Sequence, residues 1–101
     1  MAESIIKGGY EILGVSVANN VYAYRRCGIV TVRVEGATIT NTSERTNFGT
    51  LPQGWRPNNI VYAASIDGNT GYIDVLDDGT VQGFRTTEGT VRGTVAYVAT
   101  K

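Results

Sequence analysis

The sequence predicts an all-β domain, a compact antiparallel β-sandwich or barrel, and three observations lead there. Glycine recurs every few residues, with 13 in a chain of 101. The stretches between are short, β-branched and aromatic, and no window carries the period of a long helix. Two segments, Asp67-Gly68-Asn69-Thr70-Gly71 and Asp77-Asp78-Gly79, have turn chemistry that accepts positive φ. About seven to nine short strands at this spacing fit one sandwich or barrel. A single domain of this size buries somewhat over about 60% of its unfolded surface.

Ile5-Ile6 and Ile12-Leu13 flank Gly8-Gly9, which suggests an edge strand or the end of a connecting stalk. Residues 1–14 are therefore expected to stand apart from a head domain over 15–101. Val15 to Arg26 reads as one strand and Ile29 to Val34 as the next, with Val30, Val32 and Val34 on one face. Glu35-Gly36 bends the chain into Ala37-Thr38-Ile39-Thr40, and the polar run Asn41 to Arg45 is a loop. A short strand follows over Thr46 to Leu51.

The run Leu51-Pro52-Gln53-Gly54-Trp55-Arg56-Pro57 holds both prolines and the only tryptophan. Proline lacks a backbone donor and has fixed φ, so this run cannot sit inside a ladder and marks a rigid crossing between two halves. Beyond it, Ile60 to Ile66 reads as strand. Tyr72 to Leu76 follows, with Ile73 and Val75 buried and Asp74 exposed. Asp77-Asp78-Gly79 makes a hairpin turn. Val81 to Arg85 and Val91 to Ala99 close the domain, the latter placing Val91, Gly93, Val95 and Tyr97 on one face.

Nine basic residues balance nine acidic ones, which leaves no global field for nucleic acid or an anionic membrane. Histidine is absent, which removes the ordinary general base, Ser-His or Cys-His nucleophiles, and the usual zinc site. Cys27 is the only cysteine and has no internal disulfide partner. It is expected to be a small buried residue beside Ile29 and Val30, in a chain assembled in a reducing cytoplasm. No segment has the apolar length of a membrane helix, and Met1-Ala2-Glu3-Ser4 lacks signal-peptide character, so a soluble chain is expected.

Gly49-Thr50-Leu51-Pro52-Gln53-Gly54-Trp55-Arg56-Pro57, preceded by Phe48 and followed by Asp78-Gly79-Thr80-Val81, resembles a known pattern. A "G-T-L-P-x-G-aromatic-R-P" segment of this kind, with "D-G-x-V" downstream, occurs in C-terminal head domains of tailed-phage and prophage tail-fibre and baseplate proteins. The resemblance covers residues 20–100 and is best from Phe48 onward. It implies a jelly-roll-like head, assembled as a homotrimer at the tip of a virion tail beside other tail or baseplate proteins. It further implies non-catalytic recognition of host surface carbohydrate, with no cofactor and no membrane insertion. Such a protein is made in the host bacterial cytoplasm and carried on the virion. Some family members use a histidine in the sugar site, and this chain has none.

Saccharides are held by aromatic faces and by acids, amides and guanidinium groups that hydrogen-bond hydroxyls. The candidates are Trp55, Tyr62, Tyr72, Asp74 and Arg85. Trp55 either stacks on a sugar or plugs the end of the barrel beside Pro52 and Pro57. Tyr72 and Asp74 share a face, and Gln82 and Phe84 are expected opposite them across the Asp78-Gly79 turn. Tyr22, Tyr24 and Arg26 form a second stripe, open to a ligand, a trimer contact or simple core cover. Calcium is not favoured, because the Asp-Gly pairs already explain Asp67, Asp77 and Asp78 as turns. Asp74 with Glu88 is the only pairing considered for glycoside hydrolysis, and nothing in the sequence builds a cleft around it. The alternative functions are a structural fibre-tip or virion-assembly module and a bacterial carbohydrate-binding module.

Overall fold

Nine strands are present in the computed structural model, which describes residues 2–7, 10–18, 20–66 and 71–100. They are β1 (Ala2–Lys7), β2 (Tyr10–Ala18), β3 (Val21–Arg26), β4 (Ile29–Ile39), β5 (Thr46–Thr50), β6 (Val61–Ala64), β7 (Tyr72–Val75), β8 (Thr80–Phe84) and β9 (Gly89–Val98). No helix occurs among the described residues. All pairings are antiparallel and form two sheets, β1-β2-β3-β4-β9 and β5-β8-β7-β6. The predicted all-β sandwich is therefore the observed architecture. The expected division between residues 14 and 15 falls inside β2, and β1 is the edge strand of the larger sheet.

Alternation decides which side of each strand is buried. In β4, Val30, Val32, Val34, Ala37 and Ile39 face inward; in β9, Val91, Gly93, Val95 and Tyr97 do. Cross-strand register sets them in rows, Ala23 beside Val32 beside Val95, and Val30 beside Tyr97. The facing sheet contributes Ile73, Val75 and Val81. Gly93 faces Ile73 across the core, and a Cβ there would meet Ile73 Cδ1 at 3.4 Å, about ordinary contact. At one side of the sandwich β5 lies against β2, with Gly49 over Val17; at the other, β6 lies against β9. There the Ile66 N–H donates to the Arg92 carbonyl at 2.8 Å, joining the two sheets.

The second sheet is a Greek key. Strands β6, β7 and β8 form a meander, while β5 pairs with β8 at the opposite edge. Residues 51–60 must therefore carry the chain from one edge of the sheet to the other, and they contain the whole proline-bounded run. A tight turn opens it, with the Trp55 N–H donating to the Pro52 carbonyl at 3.2 Å and Gly54 at φ 88°. The crossing is held by hydrogen bonds along residues 51–56. Leu51 N–H donates to the Gly79 carbonyl (2.8 Å), Arg56 Nε to the Leu51 carbonyl (2.9 Å), and Thr100 N–H to the Arg56 carbonyl (2.9 Å). Arg25 Nη1 donates to the Gly54 carbonyl at 2.9 Å, and the buried Tyr97 hydroxyl donates to the Trp55 carbonyl at 2.6 Å.

Several local features differ from the sequence-based expectation. The single strand expected over Val15 to Arg26 is broken at Asn20, whose φ of 65° suits an asparagine and ends the ladder. Gly36, at φ 81°, makes a bulge inside a continuous β4 instead of ending it. Cys27 is exposed, not buried. Arg26 pairs with Ile29, so Cys27-Gly28 forms a two-residue hairpin loop in which both residues have positive φ, and the thiol is turned to solvent. At the β7–β8 turn the Gly79 N–H donates to Leu76, Gly79 takes φ 91°, and Asp78 Oδ1 accepts the Thr80 N–H at 2.9 Å. The 67–70 part of the other predicted turn lies outside the described residues.

Burial pushes the Tyr97 hydroxyl well above its ordinary pKa of 10.0. A raised folded value means that this group's contribution is complete below pH 10.0 and is lost as pH rises beyond it. Tyr97→Phe is expected to cost about 1–2 kcal/mol in denaturant unfolding at neutral pH, by stranding the Trp55 carbonyl, and to flatten the alkaline loss of stability. Native protein is expected to react stoichiometrically with a thiol reagent at Cys27. Cys27→Asn, which better accepts the left-handed backbone, is expected to raise stability by up to about 1 kcal/mol.

Candidate functional site

The outer face of β5-β8-β7-β6 collects the side chains that alternation turns away from the core. Tyr62 and Ala64 project from β6, Tyr72 and Asp74 from β7, and Gln82 and Phe84 from β8. Register places Tyr62 opposite Asp74, Asp74 opposite Gln82, and Gln82 opposite Asn47. In the next row Ala64 is opposite Tyr72, and Tyr72 opposite Phe84, with ring centroids 5.6 Å apart. Ala64 is too small to cover the Tyr72 ring, so a depression remains between Tyr62 and Tyr72.

Arg45 completes the face. It precedes β5 and reaches across β8, placing Nε 3.3 Å from Asp74 Oδ2 and its guanidinium 5.4 Å from the Tyr72 ring centre. Gln82 Nε2 donates to the same Oδ2 at 3.3 Å. Asp74 was expected to be exposed and is instead only 5% exposed, because these neighbours cover a carboxylate that still points away from the core. Its Oδ1 is enclosed and accepts no hydrogen bond among the described residues. Such an atom is costly to leave unpaired, by about 1–3 kcal/mol or more for a charged group.

Arg45, Ile60, Tyr62, Ala64, Tyr72 and Asp74 line an open cleft of about 610 Å³. Tyr62 is 76% exposed and forms a free aromatic wall, with exposed Ile60 beside it. A second groove, of about 440 Å³, lies on the other side of Tyr62 between β6 and β9. Val61, Ala63, Thr94, Val95 and Ala96 line it with no charged group among the described residues, so the first cleft has the richer chemistry.

Tyr62, Tyr72 and Asp74, three of the sequence-predicted candidates, are thus brought together. Trp55 and Arg85 are not. Trp55 is 5% exposed, belongs to the core, and carries the Arg25 guanidinium 5.1 Å from its ring centre. It has no free face for stacking. Arg85 is engaged in the β8–β9 connection, donating from Nη1 to the Thr90 carbonyl at 2.7 Å and from Nε to the Thr87 hydroxyl at 3.3 Å. Tyr22 and Tyr24 are half-buried on β3, on the face opposite Val21 and Ala23. Arg45 and Ile60 escape sequence reasoning, because one lies in a polar loop and the other just before a strand, and only the Greek key sets them beside β7.

Among the described residues Asp74 is the sole acid lining the cleft, and Glu88 is exposed in the bend between β8 and β9. Among the described residues no three acidic or thiol side chains cluster where they could hold a metal ion. No family model matches this chain, and no curated protein matches it.

As the sole tryptophan, Trp55 reports on the crossover. Its emission is expected to be blue-shifted and protected from acrylamide in the native state. A ligand in the Tyr62–Tyr72 cleft is expected to leave that emission unchanged. A ligand-dependent shift would instead place binding at the crossover.

Proposed function

We propose that this chain is the receptor-binding head of a tailed-phage or prophage fibre or baseplate protein, which holds host surface saccharide without chemistry. One observation carries the reading. The outward face sets the exposed Tyr62 ring beside a buried carboxylate with a spare acceptor, with Tyr72, Arg45 and Gln82 around them. A sugar ring has apolar C–H faces for tyrosine and hydroxyls for the polar groups, and an open, partly apolar cleft is the usual form of such a site. The phage-head resemblance of Gly49 to Pro57 and Asp78 to Val81 supports the same reading independently of the cleft.

One site of this size binds weakly, so useful attachment requires several copies acting together. We therefore infer a homotrimer, with other tail or baseplate proteins holding it on the virion. Exposed apolar side chains support self-association: Ile29 and Val98 face each other across β4 and β9, and Ile66 stands exposed beyond β6. The same features would serve a purely structural fibre-tip module, which differs in having no receptor.

Fluorescently labelled protein, applied to a panel of Gram-positive cells and their isolated wall polysaccharides, tests both readings. The adhesion reading predicts decoration of at least one strain, and loss of about 10-fold or more in affinity for Tyr62→Ala, since a stacked ring contributes on the order of 1–3 kcal/mol. Light scattering at micromolar concentration is expected to give three times the chain mass. Absence of decoration on every strain, with Tyr62→Ala changing only the assembly's stability, would favour the structural module. A monomer would contradict the trimer.

A further inference from the structure

The charge and hydrogen-bonding pattern of the cleft narrows its ligand, on the reading that it binds saccharide at all. The geometry points to a neutral saccharide bound through a vicinal diol, one hydroxyl donating to Asp74 Oδ1 and its neighbour accepting from Arg45, with the ring face on Tyr62.

Among the described residues two charged side chains line the cleft, Arg45 and Asp74, and they pair with each other. Their charges cancel, so the site has no net attraction for an anion. An acidic sugar or phosphate drawn to the Arg45 guanidinium would carry its charge close to the Asp74 carboxylate, which repels it. A hydroxylated neutral ring meets no such conflict. The enclosed Oδ1 lacks a donor among the described residues, and a hydroxyl supplies one. Asp74 uses only the Nε of Arg45, which leaves the terminal N–H groups of that side chain to meet an adjacent hydroxyl oxygen. An acceptor and a donor side by side are the complement of two neighbouring hydroxyls.

Oδ1 is enclosed, so a ligand reaches it by displacing a neighbouring side chain, and Arg45 is the neighbour free to swing. Its side chain is half exposed and joined to Asp74 by one 3.3 Å contact, a type of pairing that is weak at a protein surface. Arg45 thus swings aside as the ligand enters and then closes on it. The Tyr72 ring, 5.6 Å from Phe84, stays as the floor of the cleft.

Calorimetric titration of the full chain with matched oligosaccharides tests this. The panel comprises neutral hexose and N-acetylhexosamine oligomers, single-site deoxy analogues, and uronic-acid and glycerol-phosphate counterparts. The expected result is binding of a neutral member, insensitive to salt, with Asp74→Asn costing about 10- to 100-fold because a donor replaces the Oδ1 acceptor. The deoxy analogue lacking the donating hydroxyl is expected to lose affinity for the native protein but not for Asp74→Asn. That comparison stands even where the variant is less stable. Preference for the anionic members, weakened by salt and strengthened by Asp74→Asn, would overturn the inference while leaving saccharide binding intact. Binding of no member would overturn the saccharide reading itself.

Discussion

The hydrogen bond from the buried Tyr97 hydroxyl to the Trp55 carbonyl fastens the segment on which the topology depends. Between β5 and β6 the chain must leave one edge of the four-stranded sheet and re-enter at the other, passing over the end of the sandwich. A connection of that kind exposes backbone polar groups that no ladder satisfies. Tyr97, Arg25, Arg56, Gly79 and Thr100 satisfy them from four parts of the chain. Proline and glycine reduce the number of conformations the crossing can adopt, and the Trp55 ring fills the end of the core. Gly79 must be glycine for the same reason. A Cβ there would lie 2.6 Å from Arg56 Nε and 2.7 Å from the Leu51 carbonyl oxygen, at φ 91°.

This constraint reaches the outer face directly. Because the crossing delivers β6 to the edge beside β7, Tyr62 comes into register with Asp74, and Ala64 with Tyr72. Because β5 stays at the opposite edge, Arg45 arrives across β8 and lies over both. The core and the cleft are thus two sides of one sheet. Ile73 and Val75 fix β7 from within while Tyr72 and Asp74 face out. The proline-bounded run Leu51 to Pro57 takes no part in the cleft, and the crossover reaches it only at its end, through Ile60.

What was legible in the sequence follows from the range of the interactions. Alternation is local, and so β7, β9 and β4 as far as Val34 can be read directly with their inward residues, as can the grouping of Tyr72 and Asp74 with Gln82 and Phe84 across a short hairpin. Turn chemistry is also local, though its consequence is not: Asn20, Gly36 and Cys27 each accept positive φ, yet one ends a strand, one bulges it and one makes a hairpin loop. The burial of Asp74 was not legible, because it depends on Arg45, 29 positions away and brought near by the Greek key. The same holds for Trp55. Its composition and neighbours fit a stacking platform or a plug equally well, and only the Tyr97 and Arg25 contacts decide for the plug.

The proposed saccharide site is the face built by this crossover and no other surface. Amide chemical-shift mapping during titration with wall oligosaccharides from a decorated strain tests it most directly. The account predicts perturbations centred on Arg45, Tyr62, Tyr72, Asp74 and Gln82, with Trp55 and the strands of the five-stranded sheet unchanged. Perturbations centred on the 51–57 crossing or on the Tyr22–Tyr24 face, with the Tyr62–Asp74 pair silent, would contradict it.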